Sequence, residues 1–158
     1  MIVCGIDPGL SGAVALIDHD GSLLRVFDLP TVEERHGNKA RTRIAPALLH
    51  DELIGEVKID VAFIEHVASS PQMGVTSAFR FGEAFGATLA VLQCSGIRTE
   101  LIRPQVWKKA MGLNSEGEVS RARAIDLWPD ASNYFKRKMD HNRAEAALIA
   151  EYGRKMSR

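Results

Sequence analysis

Three apolar runs of strand length open the chain. They are "MIVCGI" at residues 1–6, "AVALI" at 13–17 and "LLRVFDL" at 23–29, separated by the turn signals Asp-Pro-Gly (7–9) and Asp-His-Asp-Gly (18–21). Apolar runs joined by such short turns predict an antiparallel meander. The polar stretch "TVEERHGNKARTR" (31–43) has no hydrophobic periodicity and is expected to be a loop. Apolar residues at helical spacing return in "IAPALLHDELIGEV". A continuous apolar strand, "KIDVAFIEHV", then ends in Glu65 and His66. After the loop "SSPQMG", residues 75–96 predict a long helix with Gly82 and Gly86 four apart, a spacing that lets another backbone come close. "IRTELIRP" is a fifth strand, "PQVWKKAMGL" a short helix with proline in its first turn, "SEGEVSRARAIDLWP" a loop and helix, and "NYFKRKMDHNRAEAALIAEYGRK" a lead-in and final helix. A meander followed by helix-linked strands predicts an α/β fold, a mixed sheet covered on both faces. With 158 residues and no linker or repeat, residues 1–158 are expected to form one domain.

Composition narrows the class. Charged residues make up 25% and hydrophobic residues 46%, as in ordinary folded proteins. No apolar run reaches the ~18 residues of a membrane span, and the apolar start lacks a basic leader, so a cytoplasmic protein without membrane partner is expected. Cys4 and Cys94 lie in apolar runs and are expected to be buried reduced thiols. Net charge is zero but uneven: from Arg98 onward there are thirteen Lys and Arg against eight Asp and Glu, and before it seven against twelve. That asymmetry suits a phosphate-facing surface beside a pocket of carboxylates.

The carboxylates carry the chemistry. Asp7 ends the first strand and Glu65 the fourth. If these strands are parallel neighbours, both acids emerge at the carboxyl edge of the sheet, where open α/β sheets place their sites. Glu145, near the start of the last helix, can close the group. Asp-Pro-Gly is also plain turn chemistry, and Glu145 alone would be an ordinary helical glutamate; Glu65, closing an otherwise apolar run, is harder to dismiss. Clustered carboxylates stay ionised together only beside a cation. All-oxygen ligands favour Mg²⁺, with Mn²⁺ as a substitute. Two such ions ~3.5–4 Å apart suit attack of water on a phosphodiester.

The segments "GIDPGLSGAVALID", "VAFIEHV" and "HNRAEAALIA" resemble the RuvC-type Holliday junction resolvases of the RNase H-like nuclease superfamily. "SSPQMGVTSAFRFGEAFG", "RPQVWKKAMGL" and "SRARAIDLWPD" resemble the phage and prophage branch. The match runs in order from residue 2 to about residue 153. The resemblance implies a five-stranded sheet in order 3-2-1-4-5, its first three strands antiparallel, with helices on both faces. It implies a homodimer that cuts four-way DNA junctions at symmetric positions, with other branched DNA as a further substrate class. It implies two Mg²⁺ ions per site, no organic cofactor, and Asp7, Glu65 and Glu145 as metal ligands. The loop at 67–76, with Ser69 and Gln72, corresponds to the segment that reaches the junction, and the helix from Val75 to Gln93 to the dimer helix. Phe79 and Phe81 face different ways, one toward the core and one toward a partner. Lys108, Lys109, Arg121 and Arg123 match positions near the DNA backbone, and Trp107 is read as a packing anchor.

The fourth ligand is open. A helix turns ~100° per residue, so Asn142 and His141 share the face of Glu145, while Asp140 points away once the helix has begun. Asn142 has no charge and binds Mg²⁺ weakly, which leaves Asp140, in the lead-in, or His141. Two other readings compete: a junction-binding module that does not cut, because Asn142 stands where an acid is expected, and a fragment of an actin- or sugar-kinase-like phosphate-binding fold, which needs a second domain.

Overall fold

The computed structural model describes residues 1–55, 57–69, 72–114 and 116–157, with the side chain of His36 excluded. Ser70 and Pro71 of the expected junction loop, Ser115 before the fourth helix and Glu56 near the expected end of the first lie outside the described residues.

The meander forms as expected. β1 (Val3–Asp7), β2 (Ala13–Ile17) and β3 (Leu23–Asp28) pair antiparallel in sequence. The Asp-Pro-Gly turn closes on Gly9, whose φ of 134° lies where L side chains rarely go. β6 (Val61–Glu65) runs parallel to β1, and β7 (Thr99–Ile102) parallel to β6. The sheet order is β3-β2-β1-β6-β7. Counted within this sheet alone, that is the 3-2-1-4-5 order implied by the resemblance.

Strand alternation splits the core into two layers. Cys4, Ile6, Val14, Leu16, Ala62 and Ile64 point to the face covered by α1 (Pro46–Leu53) and α2 (Val75–Cys94). Val3, Ala13, Ala15, Ile17, Val61 and Phe63 point to the other, covered by α3 (Pro104–Ala110), α4 (Gly117–Leu127) and α5 (His141–Met156). Burial on both faces explains why the central strands read as continuous apolar runs rather than alternating ones. α5 lies directly on β1: a Cβ on Gly5 would sit 2.2 Å from the Ala146 carbonyl oxygen and 2.3 Å from the Ala150 nitrogen. The fully buried Ala144, Ala146, Ala147 and Ala150 make the same approach possible from the helix side.

Two expectations are corrected. Residues 31–43 are not a loop but a hairpin of β4 (Thr31–His36) and β5 (Lys39–Ile44). It shows no apolar pattern because its anchor is ionic. Arg41 and Arg43 both pair with Glu83 of α2, Arg43 at 2.7 Å, and the Arg41 guanidinium lies 5.7 Å from the Phe79 ring centroid. The Gly37-Asn38 pair at its tip was the available turn signal. Cys4 is buried as expected, but Cys94 is exposed on the last turn of α2. Among the described residues no helix is long and apolar enough to cross a membrane.

Candidate active site

The parallel register of β1 and β6 sets Ile6 opposite Ile64, so Asp7 and Glu65 leave the sheet side by side at its carboxyl edge. Close packing of α5 on β1 brings Glu145 over the same edge. Glu65 and Glu145 are buried, at 9% and 8% exposure. A cavity of about 420 Å³ opens there, lined by Asp7 and Glu145 together with Lys108, Lys138, His141 and Asn142.

The carboxylates strain against one another. Burial pushes the Asp7 carboxyl well above its usual range; the charges of Glu145 and Glu65 push the same way, and Lys108 opposes them. Glu65 is raised by burial and by Glu145, against a hydrogen bond from Trp107 and the charge of Lys108. Lys108 Nζ lies 3.0 Å from Glu145 Oε1. The buried Ser120 hydroxyl donates to the same oxygen at 3.1 Å, and the Trp107 indole N–H donates to Glu65 Oε1 at 2.8 Å. Lys108 thus opposes all three acids, and Lys138 lines the same cavity. The arrangement of the acids is open rather than a tight cage. Among the described residues, the one trio of His, Cys, Asp or Glu with ligand atoms all within 4.8 Å of one another is Asp18, His19 and Asp20. That trio sits in the β2–β3 turn at the opposite end of the sheet, where Asp18 Oδ1 caps the amides of Asp20, Gly21 and Ser22.

The helix rotation rule holds. His141 and Asn142 line the cavity with Glu145. Asp140 does not. It is 2% exposed, and both its oxygens are taken by Arg137: the guanidinium donates to Oδ1 at 2.8 and 3.0 Å, and the backbone N–H to Oδ2 at 2.7 Å. Burial disfavours its charge, yet the bonds from Arg137 outweigh this and hold the Asp140 carboxyl below its usual range. Of the two candidates for a fourth ligand, the structure therefore brings only His141 into the cavity. The Asn142 amide donates to the Ser11 carbonyl at 2.6 Å and ties the β1–β2 turn to α5.

The expected DNA contacts divide. Lys109 is exposed, but its neighbour Lys108 points into the carboxylates. Arg121 is committed within the fold, donating to the carbonyls of Phe135 and Lys136 at 2.9 and 2.7 Å and pairing with Glu118. Arg123 is half-buried, with its Nε shut away from solvent. Ser69 and Gln72 are exposed on the loop that leaves Glu65. On α2, Phe81 is half-buried and comes close to Gly9, whereas Phe79 is 66% exposed. Gly82 and Gly86 are exposed, and a Cβ at either would meet nothing within 4 Å, so it is not the sheet that they approach. Sequence reasoning missed the inward turn of Lys108 and the polar roles of Trp107 and Ser120; the one available signal was the Trp-Lys pair on a short helix just past a strand at the site edge.

Neither a protein-family model nor any curated protein matches this sequence. Solved structures do. Thermus thermophilus RuvC in complex with a Holliday junction substrate superposes with a TM-score of 0.59 at 16% identity, over 99% of this chain and 96% of that one. A second Thermus thermophilus RuvC structure gives 0.57 at 17%, over 99% and 97%. The fowlpox virus Holliday junction resolvase gives 0.58 at 15%, over 99% of each. The chain therefore has the RNase H-like fold in the arrangement found in RuvC-type Holliday junction resolvases.

Proposed function

We propose that this chain is a divalent-metal-dependent endodeoxyribonuclease that resolves four-way DNA junctions, acting as a homodimer of single-domain subunits that nick two strands symmetrically. The observation that carries this reading is the convergence of Asp7, Glu65 and Glu145 at the carboxyl edge of β1 and β6, in a chain with the fold of junction resolvases. Full-length likeness to these chains favours it over half of a two-domain phosphate-binding ATPase.

The residues fit a hard divalent cation. Asp7 and Glu65 are both held above the ordinary carboxylate range by burial and by the charge of Glu145, against the ammonium of Lys108 and, at Glu65, the hydrogen bond from Trp107. Added positive charge relieves that repulsion, and the donors are carboxylate oxygens, which suit Mg²⁺ or Mn²⁺. Asp7, Glu65 and Glu145 would hold the metal, with His141 at the cavity wall as the fourth candidate. A pair of such ions would supply Lewis acidity there, toward the attacking water and the phosphate oxygens. The remaining work falls to the chain's own side chains. Lys108 and Lys138 supply cations at the cavity for the approaching phosphate. Exposed Lys109 and the loop carrying Ser69 and Gln72 extend the contact along the backbone. An isologous dimer supplies two sites related by a two-fold axis, and the open face of α2 at Gly82 and Gly86 is the surface suited to it.

Asn142 favours a second reading, a module that binds junctions without cutting, because an uncharged amide stands three residues before Glu145. Labelled four-way junction, fork and linear duplex, incubated with and without Mg²⁺, separate the two. Symmetric nicks confined to branched DNA and dependent on Mg²⁺ are expected, and Asp7→Asn should still bind the junction while failing to nick it. Binding without nicks in Mg²⁺ or Mn²⁺ would establish the second reading, and full cutting by Asp7→Asn would overturn the metal model.

A further inference from the structure

Trp107 is fully buried, packed beside Met111, Ala124 and Phe135 in the layer beneath α3–α5. A buried indole N–H needs an acceptor, and here it is one oxygen of one carboxylate, Glu65 Oε1 at 2.8 Å. The topology delivers that donor. Glu65 and Ile102 are register partners across β6 and β7, and α3 begins two residues after β7 ends. The strand beside Glu65 thus carries, one turn into its helix, the ring that reaches back to it. We propose that Trp107 is the positioning residue of the site, holding Oε1 so that the Glu65 carboxylate presents its second oxygen to a divalent cation. This inference rests on the metal-dependent reading above.

The physical case is one of rigidity. A glutamate loses rotamer freedom when it is fixed. A long side chain closing a strand at a cavity edge would sample several orientations, and each ion would have to impose the productive one. The indole is locked by packing and donates in a single direction, so ordering is complete before any ion arrives. Outer partners of this kind commonly set metal affinity by 10–100-fold. Packing alone would be satisfied by any large apolar ring; only the N–H distinguishes tryptophan here.

The chain's other tryptophan provides the control. Trp128 is also buried and donates its indole N–H at 2.8 Å, but to the Gly21 carbonyl at the far end of the sheet. Mn²⁺ binding to DNA-free protein, read by calorimetry, should weaken about 10-fold or more in Trp107→Phe and stay within about twofold in Trp128→Phe, even though both lose a buried hydrogen bond and some thermal stability. A second measurement needs no folded variant. The chain has two tryptophans, hence two indole N–H signals. In a ¹⁵N correlation spectrum, Mg²⁺ titration of the wild type should move the Trp107 signal and leave that of Trp128 in place. Equal Mn²⁺ affinity in wild type and Trp107→Phe, equal weakening in both variants, or a Trp107 signal indifferent to Mg²⁺ in a protein that binds it would each overturn the positioning role alone. A wild type that binds neither ion would overturn the metal-dependent reading, and this inference with it.

Discussion

Lys108→Met removes the ammonium that faces three carboxylates while keeping most of the side-chain length. In the native protein Nζ lies 3.0 Å from Glu145 Oε1, with side-chain exposures of 18% and 10%. At an effective dielectric of ~20 that contact alone is worth about 5 kcal/mol of Coulomb energy. Desolvation offsets part of it, and losing one partner of such a pair costs about 3 kcal/mol or more, because the remaining charge is left buried. The pH dependence follows from Asp7 and Glu65. Both have folded-state pKa values raised above the unfolded chain's, so the folded state binds protons first and stability falls as pH rises through their folded pKa values. Lys108 opposes that fall. Below the window Asp7 and Glu65 are neutral and its loss matters less; above the window it matters fully. Urea unfolding of metal-free protein should give a destabilisation of about 3 kcal/mol at pH 8, and a smaller one at a pH low enough to protonate Asp7 and Glu65. Saturating Mg²⁺ should restore more stability to the variant than to the wild type. The same loss at both pH values would mean that Lys108 serves packing rather than charge, and would refute the reasoning.

Three further outcomes are expected. Asp140→Ala should cost about 2 kcal/mol at pH 7 by freeing buried bonds from Arg137, a loss that fades as pH falls through the depressed folded pKa of Asp140; junction cleavage below the melting temperature should persist, and a 100-fold slower rate would restore Asp140 as a ligand. Gly82→Leu should fold, since its Cβ meets open space, yet sediment as a monomer where the wild type sediments as a dimer; an unchanged sedimentation coefficient would remove α2 as the dimer surface. Lys109→Ala should lower the salt slope of junction binding by about one unit, whereas Arg121→Ala should lower thermal stability and leave that slope unchanged, because its donors are spent on Phe135 and Lys136.

What was legible in the sequence follows the regular parts of the chain. Asp7 and Glu65 stood out because each ends an apolar run, and strand pairing translates sequence position directly into spatial position. His141 and Asn142 shared a cavity with Glu145 because helical rotation is equally regular. Where regularity stops, inference stopped. Asp140 lies in a 3-10 turn just ahead of α5, and Arg137, three residues earlier, captures it through both side chain and backbone. The hairpin at 31–44 carries no apolar stripe, since Glu83 on a helix some forty residues away is its anchor. Lys108 and Lys109 look alike as neighbours in sequence; only the seating of the buried Trp107 turns one inward and leaves the other in solvent.

The contact between Gly5 and the Ala146–Ala150 backbone has a consequence for folding order. It joins the first strand to the last helix, so Asp7 and Glu145 meet across nearly the whole sequence. Contacts of such long range form late, after most of the loop-closure entropy has been overcome. On a ribosome the N-terminal strands emerge well before α5 exists. Until that helix docks, Asp7 lacks the carboxylate that does most, after burial, to raise its pKa, and the cavity has no wall from His141 or Glu145. The chemistry of the centre is thereby withheld from any copy of the chain in which that helix has yet to dock.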